Sequence, residues 1–207
     1  MILNHFLAKQ FHKPQGLLGY LVSNQFKKSN QNQNDWVIPL LDIKSTDHVL
    51  EIGFGNGDSI KKISQLTKAG LVTGIDHSEI MLEKAKLLNE PEIISGLVEL
   101  KFGEVPPLPY HDDAFDKILA VYVVYFWKNP LVVLKEINRV LKPGGLTAIY
   151  LSTKETLKNK PFTQTGIFKD YDPGELIALF VQAGFKEIKH LERKFNEETG
   201  MCILGKK

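Results

Sequence analysis

The stretch Val49-Leu50-Glu51-Ile52-Gly53-Phe54-Gly55-Asn56-Gly57-Asp58-Ser59 decides the fold. An apolar strand ends in a carboxylate, turns on three glycines at alternate positions and runs straight into a helix. Glycine reaches positive φ and lets a backbone approach a ligand closely. The helix behind it offers unpaired N–H groups and the positive end of its dipole. Strand, glycine turn and helix in this order build a site for a nucleotide-type ligand.

The charges around the glycines choose between ligands. A dinucleotide fingerprint reads G-x-G-x-x-G and seats a pyrophosphate on the helix N-terminus. Here the spacing is G-x-G-x-G, and the sixth position is Asp58. Glu51 and Asp58 set two potential anions beside the loop, which repel a pyrophosphate and attract a ligand bearing an ammonium and a sulfonium. S-adenosylmethionine carries both cationic centres and no phosphate. The helix dipole alone favours an acid in a first turn; that accounts for Asp58 but leaves the glycines unexplained.

The segments that follow arrive at the expected intervals. Leu71-Val72-Thr73-Gly74-Ile75-Asp76 is a second short strand ending in an acid, at the offset where a carboxylate meets ribose hydroxyls. Ser78 caps a helix over 79–88, and 97–102 reads as a third strand leading into Gly103-Glu104-Val105. Asp112-Asp113-Ala114-Phe115-Asp116 opens a fourth strand that runs to Val121. Asn129-Pro130 starts a helix by cap and fixed φ. That helix is expected to end at Leu141-Lys142-Pro143-Gly144-Gly145, before a fifth strand over 146–151. Asp172, Pro173 and Glu175 form a capping box for a last helix that stops at Gly184, and 185–194 with 200–206 read as a closing strand pair. Strands alternating with helices mean an α/β fold with a mostly parallel sheet covered on both faces.

Four segments, LEIGFGNG, GID, DDAFD and RVLKPGG, resemble those of the class I S-adenosylmethionine-dependent methyltransferases, and in particular the small-molecule subgroup called the type 11 methyltransferase domain. The likeness spans residues 36–151 with clear motifs. It implies a Rossmann-like seven-stranded sheet of order 3-2-1-4-5-7-6 with the last strand antiparallel. It also implies cofactor roles. Gly53, Gly55 and Gly57 would line the methionine part, and Glu51 would face its ammonium. Asp76 would accept hydrogen bonds from the ribose hydroxyls, and His77 and Met81 would flank the adenine. Glu104 stands where the family more often has Asp and would meet the adenine amino group on a longer arm. Val105 would offer its backbone N–H to the ring, and Val121 a backbone carbonyl to the ammonium.

Methyl transfer is an in-line displacement at a carbon already activated by its sulfonium, so the protein mainly positions. A general base helps only where the acceptor loses a proton. The candidates are Tyr122, Tyr125, His77 and His111, each with a plain structural alternative: packing for the tyrosines, solvation for His111. In place of the Asn/Asp-Pro-Pro-aromatic motif of enzymes that methylate base or glutamine amino groups, the chain has Val121-Tyr122-Val123-Val124. Tyr122, Tyr125, Phe126 and Trp127 instead suggest an apolar pocket for a small acceptor. No metal is implied.

Composition sets limits. The 207 residues suit a single domain with a self-sufficient core, and a net charge of +2 is too mild for a nucleic-acid groove. The single cysteine, Cys202, sits in an apolar run and reads as a core residue. No apolar stretch is long enough to span a bilayer, and Asn4, His5, Lys9 and Gln10 interrupt any signal-like block, so a cytoplasmic setting is expected. Residues 1–34 carry Lys9, Lys13, Lys27 and Lys28 and no acid. Apolar positions there predict two amphipathic helices broken around Pro14 and Gly16, then a polar linker over 29–34. This N-terminal part is expected to be a lid over residues 35–207, with weak lipid contact by 1–28 as the alternative. Two other functions stay open: an NAD(P)-dependent oxidoreductase, which would share the strand, glycines and Asp76, and a non-catalytic S-adenosylmethionine-binding regulator.

Overall fold

The computed structural model describes residues 2–16 and 31–207. Seven strands form one sheet: β1 His48–Ile52, β2 Leu71–Asp76, β3 Val98–Phe102, β4 Phe115–Val121, β5 Leu141–Ser152, β6 Lys186–Phe195 and β7 Glu198–Lys206. Their order is β3-β2-β1-β4-β5-β7-β6, parallel from β3 to β5, with β7 antiparallel to both neighbours. The strand order reverses between β1 and β4, so the crevice beyond their carboxyl ends is where an open α/β sheet takes its ligand.

Period-two alternation divides the core into two layers. Leu50, Ile52, Ile118, Ala120, Ile149, Leu151, Met201 and Ile203 face one side. Val49, Leu119, Val121, Ala148, Tyr150, Cys202 and Leu204 face the other. On the first side lie α6 (Pro130–Val140), through Val133, Leu134 and Ile137, and α8 (Pro173–Gln182), through Leu176 and Phe180. On the second lie α3 (Asp58–Ser64) and α4 (Glu79–Leu88), with Ile60, Ile63, Leu82 and Ala85. Cys202 is a core residue whose thiol burial pushes up to about 12. The starts of α4, α6 and α8 follow the sequence: Ser78 and Asn129 accept from Met81 and Val132 N–H, and Glu175 accepts from Asp172 N–H at 2.8 Å.

Three stretches depart from expectation. Residues 31–40 form helix α2, so the end of the predicted polar linker is not a linker. Gln33 and Asn34 are buried on that helix, and Val37, Ile38 and Leu41 anchor the stretch in the second core layer. Helix α6 stops at Val140, and Leu141 already pairs with Phe115, because the register shift between Phe115 and Lys117 absorbs the Pro-Gly-Gly turn inside β5. Short helices α5 (Glu90–Ile94) and α7 (Lys154–Lys158) and a 3-10 turn, Pro161–Thr165, lie between the expected elements. At the N-terminus, α1 (Ile2–His12) lies against that 3-10 turn, with the Phe11 and Phe162 rings stacked at 4.5 Å. The second predicted N-terminal helix, over 17–26, falls outside the described residues. Among the described residues no helix is long and apolar enough to cross a membrane.

Gly200 on β7 makes room for a large buried ring: a Cβ there would stand 1.9 Å from the Tyr150 hydroxyl. Gly200→Ala is expected to cost about 1–3 kcal/mol by overpacking and to lower the melting temperature by roughly 2–10 °C. Adding Tyr150→Phe, which deletes the nearest atom, should recover part of that loss in the same thermal melt.

Candidate active site

The β1 tip hands the chain to a loop in which Gly53, Gly55 and Gly57 have φ of 73°, 55° and 85°. Each position has a separate reason. A Cβ on Gly53 would meet Val123 Cγ1 at 2.2 Å, so the loop can lie against the turn after β4 only without a side chain. A Cβ on Gly55 would meet nothing within 4 Å; it would stand in the open cavity that Gly55 lines. Gly57 faces away, against Ala85 and Asn89 of the α4 end, and does not line the cavity. Its missing side chain makes room for helix packing, whereas Gly53 and Gly55 border the cavity.

Asp76 closes the loop from β2. Its carboxylate, 9% exposed, accepts from Gly55 N–H and Ser78 N–H, both at 2.9 Å. Burial raises its pKa, while those N–H donors and His77 oppose the rise. Glu51 is buried deeper, at 2% exposed, with Ser59 Oγ 2.5 and 2.7 Å from its two oxygens. Burial pushes its carboxyl up to about 8; the Ser59 hydrogen bond opposes this, and the charges of Asp76 and Asp58 add to it. Among the described residues no cation pairs with Glu51. Its carboxylate borders a small hollow of about 160 Å³ that it shares with Gly53, Gly55, Asn34 and Val121. A buried, unpaired carboxylate beside an open hollow suits a cationic guest.

The main cavity, about 550 Å³, adjoins that hollow and shares Gly53, Gly55 and Val121 with it. Asp76, His77, Met81, Glu104 and Val105 form one side. Tyr122, Tyr125, Phe126, Phe162 and Phe168 make the opposite, aromatic side, and Phe11 to Pro14 complete the wall. Tyr122 holds a left-handed φ of 61°, fixed by its N–H donating to Tyr150 O at 2.9 Å. Such a conformation costs a non-glycine residue about 1–3 kcal/mol and clusters at functional sites. Burial pushes the Tyr122 phenol up to about 12 and the Tyr125 phenol further, its oxygen accepting from Ser152 N–H at 2.5 Å. Both phenols are neutral at physiological pH and can donate hydrogen bonds, not remove protons. His111 is exposed and does not line the cavity, because the 111–114 turn lies away from the carboxyl ends of the strands.

Sequence reading missed Asn34, Ser59, Phe162, Phe168 and Glu198. Asn34 was hidden in a polar run, and the aromatic pair reaches the cavity only through the fold of residues 154–168. Among the described residues no group of His, Cys, Asp and Glu could hold a metal.

A family profile described as "Methyltransferase domain" matches residues 50–149, from the middle of β1 into β5. The chain is 31% identical to YdaC of Bacillus subtilis, named an uncharacterized methyltransferase, over 92% of this chain and 98% of that protein. It is 30% identical to the demethylmenaquinone methyltransferase of Staphylococcus haemolyticus, over 80% of this chain and 78% of that protein. Its fold matches that of the putative methyltransferase in complex with the Haloferax volcanii Trm112 activator, with a TM-score of 0.80 at 17% identity, covering 89% and 92% of the two chains. Loop, buried acids and sheet order together define a Rossmann-like methyltransferase. The chain belongs to the class I S-adenosylmethionine-dependent methyltransferases, and S-adenosylmethionine is its cofactor.

Because the folded pKa of Glu51 lies above its unfolded value, the native state holds more protons than the unfolded one between about pH 4.5 and 8. Stability of the free protein should therefore fall as pH rises through that window. Glu51→Gln should flatten this slope in thermal melts at pH 5.5, 6.5 and 7.5.

Proposed function

We propose that the protein transfers the methyl group of S-adenosylmethionine to a small, partly apolar acceptor held against the aromatic side of the 550 Å³ cavity. One observation carries this reading: Gly55 and Asp76, at the cofactor end, line the same continuous space as Tyr122, Phe126, Phe162 and Phe168. A volume in this range suits a small-molecule site. The cofactor residues fit the ligand, since Gly55 leaves open the volume a Cβ would fill and Glu51 offers a buried carboxylate with no cation of its own.

Glu51 and the Val121 carbonyl would take the ammonium of the cofactor, and Asp76 the ribose hydroxyls. His77, Met81, Glu104 and Val105 would surround the adenine. The bound cofactor supplies a methyl group activated by its sulfonium. The rest is the protein's own work, chiefly orientation and exclusion of water. Phe11 and Pro14 shield the site from solvent, and we read α1 as the lid that makes this wall. The Tyr122 phenol, whose one O–H points to Tyr150 Oη at 3.4 Å, would turn it to orient the acceptor's polar atom. That one relative is named for demethylmenaquinone agrees with an aromatic, apolar pocket. A cytoplasmic setting is consistent with a lone buried thiol.

Transfer of label from methyl-tritiated S-adenosylmethionine across a small-metabolite screen tests the reading; no labelled product from any acceptor would favour a non-catalytic regulator. Asp76→Asn keeps the shape but removes one anion and one acceptor, and should weaken S-adenosylmethionine binding in calorimetry by about 10-fold or more. Deleting residues 1–30 should leave the core folded and cofactor-competent while abolishing turnover. Full activity of the truncated protein would remove the lid from the account.

A further inference from the structure

The site as described holds neutral phenols but no identified group to receive a proton. Of the other candidates in the cavity wall, Glu104 is taken by the adenine in the reading above, and three more hold protein partners. Glu198 is ion-paired with Lys160 at 2.6 Å. Asp76 is bound by two backbone N–H groups. His77 Nε2 lies 2.8 Å from the His12 carbonyl, to which it donates.

His12, the last residue of α1, differs from these. Its ring stacks on Phe126 at 4.7 Å and 23°, and meets His77 edge-on at 5.2 Å. Its backbone is secured at the same place: the His12 carbonyl receives His77 Nε2, and two residues on the Pro14 carbonyl accepts from Ser78 Oγ at 3.0 Å. The ring is thus pinned where the lid, the β2–α4 turn and the turn after β4 converge, and it lines the cavity. No described residue hydrogen-bonds its ring nitrogens.

We propose, resting on the methyl-transfer reading above, that His12 is the proton acceptor of the reaction, delivered to the site by the N-terminal helix. The acceptor's oxygen or nitrogen lone pair forms the bond to the methyl carbon, and the carbon–sulfur bond breaks with its electron pair passing to sulfur. The proton lost from that oxygen or nitrogen goes to the His12 ring, and from its solvent-exposed side to water. The surroundings keep the ring receptive. Burial, with His77, Lys13 and Lys128 facing it, lowers its pKa, and only Glu104 acts in the opposite sense. A neutral imidazole at neutral pH can take a proton.

The test uses the full chain, with 2-naphthol and a panel of one- and two-ring phenols and arylamines as probe acceptors. NMR titration of His12 should give a midpoint below the ~6.5 of an unperturbed imidazole. The wild-type kcat should rise with pH around that midpoint. His12→Gln should remove this limb and lower kcat about 100-fold or more, with KM for the probe and calorimetric affinity for S-adenosylmethionine unchanged within about threefold. Added imidazole should restore part of the rate to His12→Ala. Unchanged kcat and limb in His12→Gln would overturn the assignment, as would a midpoint at or above that of free imidazole. Absence of transfer to every probe with S-adenosylmethionine still bound would overturn it too. Failure to bind S-adenosylmethionine would sink the methyl-transfer reading itself.

Discussion

The buried carboxylate of Asp76 holds three parts of the molecule in one arrangement. One oxygen fixes the glycine loop through Gly55 N–H, and the other fixes the β2–α4 turn through Ser78 N–H. Ser78 passes the constraint on, its hydroxyl donating to the Pro14 carbonyl at the end of α1. Loop, turn and N-terminal wall are therefore linked through one side chain. A buried carboxylate is costly unless its lone pairs are filled, and here two backbone donors partly fill them. The remaining capacity faces the cavity.

Glu51 follows the same logic without backbone donors. Only Ser59 among the described residues reaches it, so burial wins and its proton is retained near neutrality. An arriving cation draws Glu51 into its charged form, and the two acids beside a tight backbone turn then stabilise positive charge where a phosphate would be repelled. This is the physical reason why a glycine loop so like a dinucleotide fingerprint serves S-adenosylmethionine instead. The turn after β4 adds a second constraint. Gly53 lets Val123 approach, and the strained Tyr122 backbone is held by Tyr150 O beside the cavity that Tyr122 lines.

Much of this was legible in local pattern. Alternating apolar residues and the capping signals at Ser78, Asn129 and Asp172 located strands and helices. Asp76 and the run from Gly53 to Gly57 located the ligand crevice. What could not be read depends on distant packing. Gly57 looks like its two neighbours until Ala85 and Asn89 are seen against it. Residues 31–34 are as polar as a linker, yet they begin a helix whose Val37 and Ile38 are core. Tyr125 presents as a candidate base only until its burial and its bond from Ser152 N–H are known. Phe162 and Phe168 complete the pocket from more than a hundred residues beyond the glycine loop, and no spacing rule connects them to it.

The central claim is that a protonated, buried Glu51 awaits a cation. Calorimetric titration with S-adenosylmethionine at pH 7, repeated in buffers of different ionisation enthalpy, measures it directly. The account expects net release of protons on binding, as the ligand's ammonium draws Glu51 into its charged form, and loss of that release in Glu51→Gln. Binding heats that are independent of buffer, or tighter binding of NADH than of S-adenosylmethionine, would contradict it.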